Sequence, residues 1–95
     1  MDFYVEILRD YADACSAKSE ELGNYYLEQD WQAYRILIHS LKSTSKSIGA
    51  ELLFGLAAKL EEAAINEDDI YIMENHEKFI RIYSQTTKAI GEILR

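Results

Sequence analysis

His39 lies in the stretch IHSLKSTSKSIGA, residues Ile38 to Ala50, among lysines and serines. An imidazole is largely neutral near neutral pH, so its free nitrogen can attack. Histidine is among the side chains that form covalent intermediates. A helix turns by about 100° per residue. With His39 set at zero, Arg35 falls at about −40°, Lys42 at about −60°, Lys46 at about −20° and Ser43 at about +40°. Leu37, Leu41 and Ile48 gather near the opposite pole, with Tyr34 and Thr44 beside them. The spacing therefore predicts an outward-facing imidazole with Arg35, Lys42 and Lys46 along its stripe.

From Trp31 to Ala50 there is no acid, although the chain carries 17 acids against 10 bases. Cations around an imidazole disfavour its protonation, and they offset the charge of an arriving phosphate. Two readings fit. The plain one is a solvated polar face that carries a histidine. The sharper one is a surface nucleophile placed to handle an anion. No carboxylate lies within a turn of His39 on its own helix, and there is no glycine-rich phosphate loop or Walker pattern. A histidine without base, metal or nucleotide pocket suits a carrier better than a complete enzyme. A small phosphohydrolase would need an acid or base beside His39.

The remaining chemistry-bearing residues point elsewhere. His76 is flanked by Glu74 and Glu77, and the pattern predicts an ordinary surface or boundary histidine, its protonated form favoured and phosphate repelled. No carboxylate-x-x-His pattern accompanies either histidine, so no metal site is expected. Glu67, Asp68 and Asp69 lack the spacing of a calcium loop and read as a solvated turn. Cys15 is the only cysteine; it reads as a buried or half-buried bystander in a reducing, cytoplasmic setting. Trp31, Tyr34, Tyr71 and Tyr83 read as core. One of Phe3 and Tyr4 is free to face a partner.

These residues must be positioned by helices. The 95 residues include no proline and only four glycines, which are the main punctuators of turns and strand ends. Helical spacing is plentiful and strand-like alternation is absent. The segments DFYVEILRDYADAC and SAKSEELGNYYLEQ form one helix, or two that bend near Ser16. Phe3, Ile7, Tyr11 and Ala14 line one stripe of the first, and Gly23 weakens the second. DWQAYRILIHSLKSTSKSIG follows with Asp30 as its N-cap, ending at or near Gly49. ELLFGLAAKLEEAAI and IYIMENHEKFIRIYSQTTKAIGEIL complete the set. In the last of these, Ile72, Phe79, Tyr83, Thr87, Ile90 and Leu94 recur at helical spacing. The expected fold is all-α: one domain over residues 1–95, an antiparallel up-and-down four-helix bundle with an additional N-terminal helix. The net charge of −7 argues against nucleic acid and against an anionic membrane surface. No apolar run approaches the roughly 20 residues of a membrane span.

The run His39-Ser-Leu41-Lys42-Ser43-x-Ser45-x-x-Ile48-Gly49-Ala50 resembles the signature of histidine-containing phosphotransfer (HPt) domains, H-x-L-K-G-x-S-x-x-I-G-A. Upstream, Asp30-Trp31 resembles the family's acidic start to the histidine helix. Downstream, LLFGLAAKLEEAA is similar to its next helix, with Leu53, Leu56, Ala57, Leu60 and Glu61 at matching positions. The resemblance implies a phosphocarrier of a multistep phosphorelay, with His39 as acceptor and Lys42 compensating the phosphoryl charge. Arg35, Ser43 and Lys46 are then accessory residues, and Ile36 and Ala50 are the nearest apolar candidates for partner docking. Ser45 reads as a packing serine. Ser43 stands where the family commonly has glycine, which leaves space for the incoming aspartyl phosphate; its hydroxyl is within reach of the imidazole or a phosphate oxygen. The implied partners are receiver (response-regulator) domains. No cofactor is implied, since Mg²⁺ would belong to the receiver. The chain would act as a monomer, free-standing or as a module of a larger sensor kinase. The alternative reading is a helical module that binds receivers or other partners without accepting phosphate.

Overall fold

Aspartates set two of the helix starts. The side chain of Asp30 accepts from the backbone N–H of Ala33, and that of Asp68 from Tyr71, satisfying donors that a helix's first turn leaves unpaired. The computed structural model describes residues 3–94. Four helices run in order: α1 Phe3–Glu28, α2 Trp31–Ser47, α3 Glu51–Ile65 and α4 Asp69–Ile93. No strand occurs among the described residues.

The three connections share one geometry. Gln29, Gly49 and Glu67 adopt φ of 55°, 78° and 53°. In each turn this residue's N–H and the next one's reach back to carbonyls of the preceding helix: Gln29 to Tyr26 and Asp30 to Tyr25, Gly49 to Lys46 and Ala50 to Ser45, Glu67 to Ala64 and Asp68 to Ala63. This is the Schellman way of closing a helix. Glycine meets the left-handed requirement freely at position 49. Gln29 and Glu67 meet it at a cost of about 1–2 kcal/mol, which the paired carbonyls and the following aspartate caps offset.

Connections this short (residues 29–30, 48–50 and 66–68) make sequential helices antiparallel neighbours. Among the described residues α1 packs along α2 and α4, and α3 along α2 and α4; across the diagonal, the Tyr34 side chain of α2 reaches His76 of α4. The result is an up-and-down four-helix bundle, 42 × 19 × 18 Å.

The additional N-terminal helix does not occur: the first two expected segments form one helix, α1. Ser16 is no breaker, and Tyr11, Cys15 and Leu22 continue a single buried stripe across it. Packing along that stripe outweighs the propensity cost of Gly23. Phe3, expected on the same stripe, is 74% exposed. Asp2, at the head of the first expected segment, lies outside the described residues. The Tyr4 hydroxyl donates to the Ile48 carbonyl at 3.1 Å, tying the start of α1 to the end of α2.

The core is built from side chains of all four helices, among them Leu22, Tyr34, Ile38, Leu53, Leu60, Ile72, Phe79 and Tyr83, each almost wholly buried. Cys15 is buried with them as a free thiol. Trp31 and Tyr71 pack at the edge of the core. On α2, Tyr34, Leu37, Ile38, Leu41 and Ser45 face inward. Arg35, Ile36, His39, Ser43 and Lys46 remain outside. Thr44 also stays exposed: its hydroxyl bonds back to the carbonyls of Ser40 and Leu41. This division fixes the direction in which His39 points.

Candidate functional site

α2 presents His39 to solvent, with 59% of its side chain exposed. Beside it, α3 supplies a carboxylate. Glu61 is largely buried, 14% exposed, and uses both of its oxygens. Oε2 lies 2.5 Å from His39 Nδ1, and Oε1 accepts from Lys42 Nζ at 2.5 Å. Burial pulls the Glu61 pKa upward. The hydrogen bonds from Lys42 and His39, with their charges, outweigh it and hold the carboxyl below its ordinary range. Glu61 is therefore an anion that can only accept. The proton on the imidazole must sit on Nδ1, donated to Glu61, so a neutral ring carries its lone pair on Nε2.

That arrangement corrects one expectation. No carboxylate attends His39 on its own helix, but one does across the α2–α3 hairpin, 22 residues on in sequence. The hairpin turn brings it there, because Ala57, Leu60 and Ala64 turn inward and leave Glu61 on the flank facing α2.

The other expected site residues are spread along the same surface. Arg35 and Ile36 line a shallow recess with His39 and Glu61, and Ile36 is 62% exposed. Lys46 leans toward α3, its Nζ 5.8 Å from the centre of the Phe54 ring; it is drawn to that ring face and not to Glu61. Ser43 is exposed, and among the described residues its hydroxyl makes no bond to the imidazole. Ser45 is fully buried and pairs with the Tyr11 hydroxyl at 2.8 Å. Ala50 does not continue the His39 face. α2 stops at Ser47, and Ala50 becomes the half-buried N-cap of α3, so the turn takes this docking candidate off the helix that carries His39.

His76 is no surface histidine. It is 5% exposed, stacked on Tyr26 with ring centres 4.1 Å apart and 3.0 Å from the Tyr34 hydroxyl through Nδ1. Burial pushes the Tyr34 hydroxyl well above its ordinary range, with the nearby Tyr26 adding to the effect. Tyr34 therefore keeps its proton, and its neutral hydroxyl pairs with Nδ1. Burial lowers the His76 pKa, only partly countered by Glu77. The helical phase of Ile72, Phe79 and Tyr83 carries His76 inward, against the local acids that suggested a surface position.

This buried imidazole makes stability pH-dependent. Its folded pKa lies below its unfolded one, so above the ordinary histidine range both states are neutral and nothing changes. As pH falls through about 6.5, the unfolded chain takes a proton that the folded chain resists, and stability is lost. The melting temperature should drop between about pH 7.5 and about pH 5.5. The drop should persist in His39→Gln and shrink in His76→Gln. A drop of undiminished size in His76→Gln would assign it to another group.

Among the described residues no group of three or more His, Cys, Asp or Glu side chains is placed to hold a metal ion, and no helix is long and apolar enough to cross a membrane. In comparisons with known proteins, the family model described as Hpt domain matches residues 6–86. No curated protein and no solved structure matches the chain.

Proposed function

This chain belongs to the Hpt domain family, whose members serve phosphotransfer in phosphorelays with receiver domains, and from that premise we propose that it is a phosphocarrier acting through His39. The observation that carries the reading is the pairing of His39 Nδ1 with Glu61, which leaves Nε2 as the exposed nucleophile. Nε2 attacks the phosphorus of a receiver's aspartyl phosphate. The N–P bond forms, the P–O bond to the aspartate breaks, and the aspartate leaves as a carboxylate. The ring then bears a positive charge with its proton still on Nδ1, and Glu61 opposes that charge. Transfer onward reverses these steps on a second receiver, whose Mg²⁺ would sit on the receiver.

Lys42 has a second task in this scheme. Its ammonium sits one helical turn from His39 and is held by Glu61. As a phosphoryl group arrives, the ammonium can share its hydrogen bonds between Glu61 and a phosphoryl oxygen. Both Glu61 oxygens already accept bonds from His39 and Lys42, and the carboxyl is held below its ordinary range, which makes it a poor base for activating water. That favours a carrier over a phosphohydrolase. Ile36, exposed in the recess beside His39, offers a receiver apolar area close to the reacting nitrogen. Arg35 and Lys46 add positive charge around it.

The test is transfer from a radiolabelled phospho-receiver to the full chain. Label on the chain, passed on to a second unlabelled receiver, supports the carrier. Receiver binding with no label would establish the non-phosphorylated module instead. Lys42→Ala should slow labelling by about tenfold or more with little change in helicity, because its partner Glu61 keeps the bond to His39. Unchanged transfer kinetics in that variant would remove Lys42 from the site.

A further inference from the structure

On the other flank of α2, away from Glu61, the structure holds a cavity of about 280 Å³ between α1, α2 and α4. Its walls are mainly apolar: Ile7, Tyr11, Ala14, Leu41, Ile48 and Tyr83. Tyr11 and Tyr83 meet edge to face there, ring centres 5.5 Å apart. None of its lining residues belongs to the recess around His39.

One charged residue at this cavity is out of place. Every described Lys and Arg is exposed except Lys42 and Lys18. Lys42 is paired with Glu61. Lys18 is half-buried, lines the cavity and also lines the adjoining crevice toward Tyr25. Among the described residues the ion pairs are those of Glu61 with His39 and Lys42, so Lys18 has no carboxylate partner. Glu21, one turn further along α1, accepts instead from the Tyr25 hydroxyl at 3.0 Å. A partly desolvated cation beside an apolar wall gains from an anion brought there. Asp10 lies at the cavity's other end, two turns back along α1, and repels an anion from that end.

We propose that this cavity binds a small, mainly apolar molecule with a single anionic group, its body over the half-buried Ile7 and Ala14 and its anion on Lys18. The volume lies just below the range usual for small-molecule pockets, about 300–1,000 Å³, and suits one or two fused rings. Mainly apolar walls with a few placed polar groups, here Lys18 with Ser40, Thr44 and Ser47 at the rim, are the usual composition of such sites. The occupant touches Ser40 and Leu41, which directly follow His39 on α2, yet leaves the phosphoryl site open.

The experiment uses three probes with one body and different charge: naphthoate, naphthamide and naphthylmethylammonium, each titrated into the full chain and followed by amide NMR. Naphthoate should give saturable shifts centred on Ile7, Ala14, Leu41 and Ile48. The ammonium probe should bind weaker by about tenfold. Lys18→Gln should erase that preference, because the rings keep their place and lose the anion's partner. Ala14→Leu should fill the cavity and weaken all three probes; if it does not fold, Ser47→Leu at the exposed rim serves the same purpose. Scattered or non-saturating shifts, equal binding of the three probes by the native chain, or an unchanged preference in Lys18→Gln would overturn the proposal. His39 and Glu61 shifts play no part in the readout, so failure here leaves the carrier reading untouched.

Discussion

His39→Gln should abolish phosphoryl labelling and leave the melting temperature almost where it was. That is the largest functional effect expected of any single substitution in this chain. Loss is complete because only two histidines are present, and the second, His76, is 5% exposed and packed against Tyr26 and Tyr34. No phospho-receiver can bring phosphorus to a nitrogen so enclosed. The fold survives because the His39 side chain is 59% exposed and contributes little to the core. A glutamine amide can also donate to Glu61 in place of Nδ1. The label on the native chain should be a phosphoramidate, labile to acid and stable to base. Label on a serine would behave oppositely in acid; Ser43 is the exposed serine nearest to it in helical phase, whereas Ser45 is buried against Tyr11. His76→Gln should still accept phosphate, although its core is less stable. Acid-stable label, or label that survives His39→Gln, would leave the interaction-module reading in place of the carrier.

Local signals made α2, α3 and α4 legible. Asp30 announces the start of α2, and the apolar phase of Leu37 and Leu41 fixes which side of it His39 occupies. The α3 segment ELLFGLAAKLEEAAI matches the observed Glu51–Ile65. What escaped the sequence was set by contacts between helices. Ser16 reads as a place where α1 could bend and Gly23 as a weak point beyond it, but a continuous stripe through Tyr11, Cys15 and Leu22 packs on the rest of the bundle and holds the helix whole. Gln29 and Glu67 adopt the left-handed geometry that glycine or asparagine would have advertised. His76 was misjudged from its neighbours in sequence. Its spacing to Ile72, Phe79 and Tyr83 was the better guide, because helical phase decides burial before adjacent charge does. Glu61 was visible only as a residue in the right helix. Its partnership with His39 needed the two helices to be set side by side in register.

That partnership carries the second large effect. Glu61→Ala should slow labelling of His39 by about 10–100-fold, the cost found when a metal-ligating histidine loses the carboxylate that orients it. Four losses combine. The proton is no longer drawn to Nδ1, so part of the population carries it on Nε2 and cannot attack. The ring loses its fixed orientation. The positive charge that develops as the N–P bond forms loses its counter-ion, and Lys42 loses the group that holds it near the site. Glu61→Gln should fall between the native chain and alanine: its amide oxygen can still accept from Nδ1, but the charge is gone. Slower transfer alone would not separate positioning from simple damage to the fold. The ring itself gives the separate readout, since imidazole nitrogen shifts report which atom bears the proton. The native chain should show Nδ1–H with a bare Nε2. Glu61→Ala should move toward the mixture of an unconstrained imidazole while its melting curve changes little, because an ion pair at a largely exposed histidine adds little stability. Native-rate labelling in Glu61→Ala, or a native ring already protonated on Nε2, would show that Glu61 does not position His39 for attack.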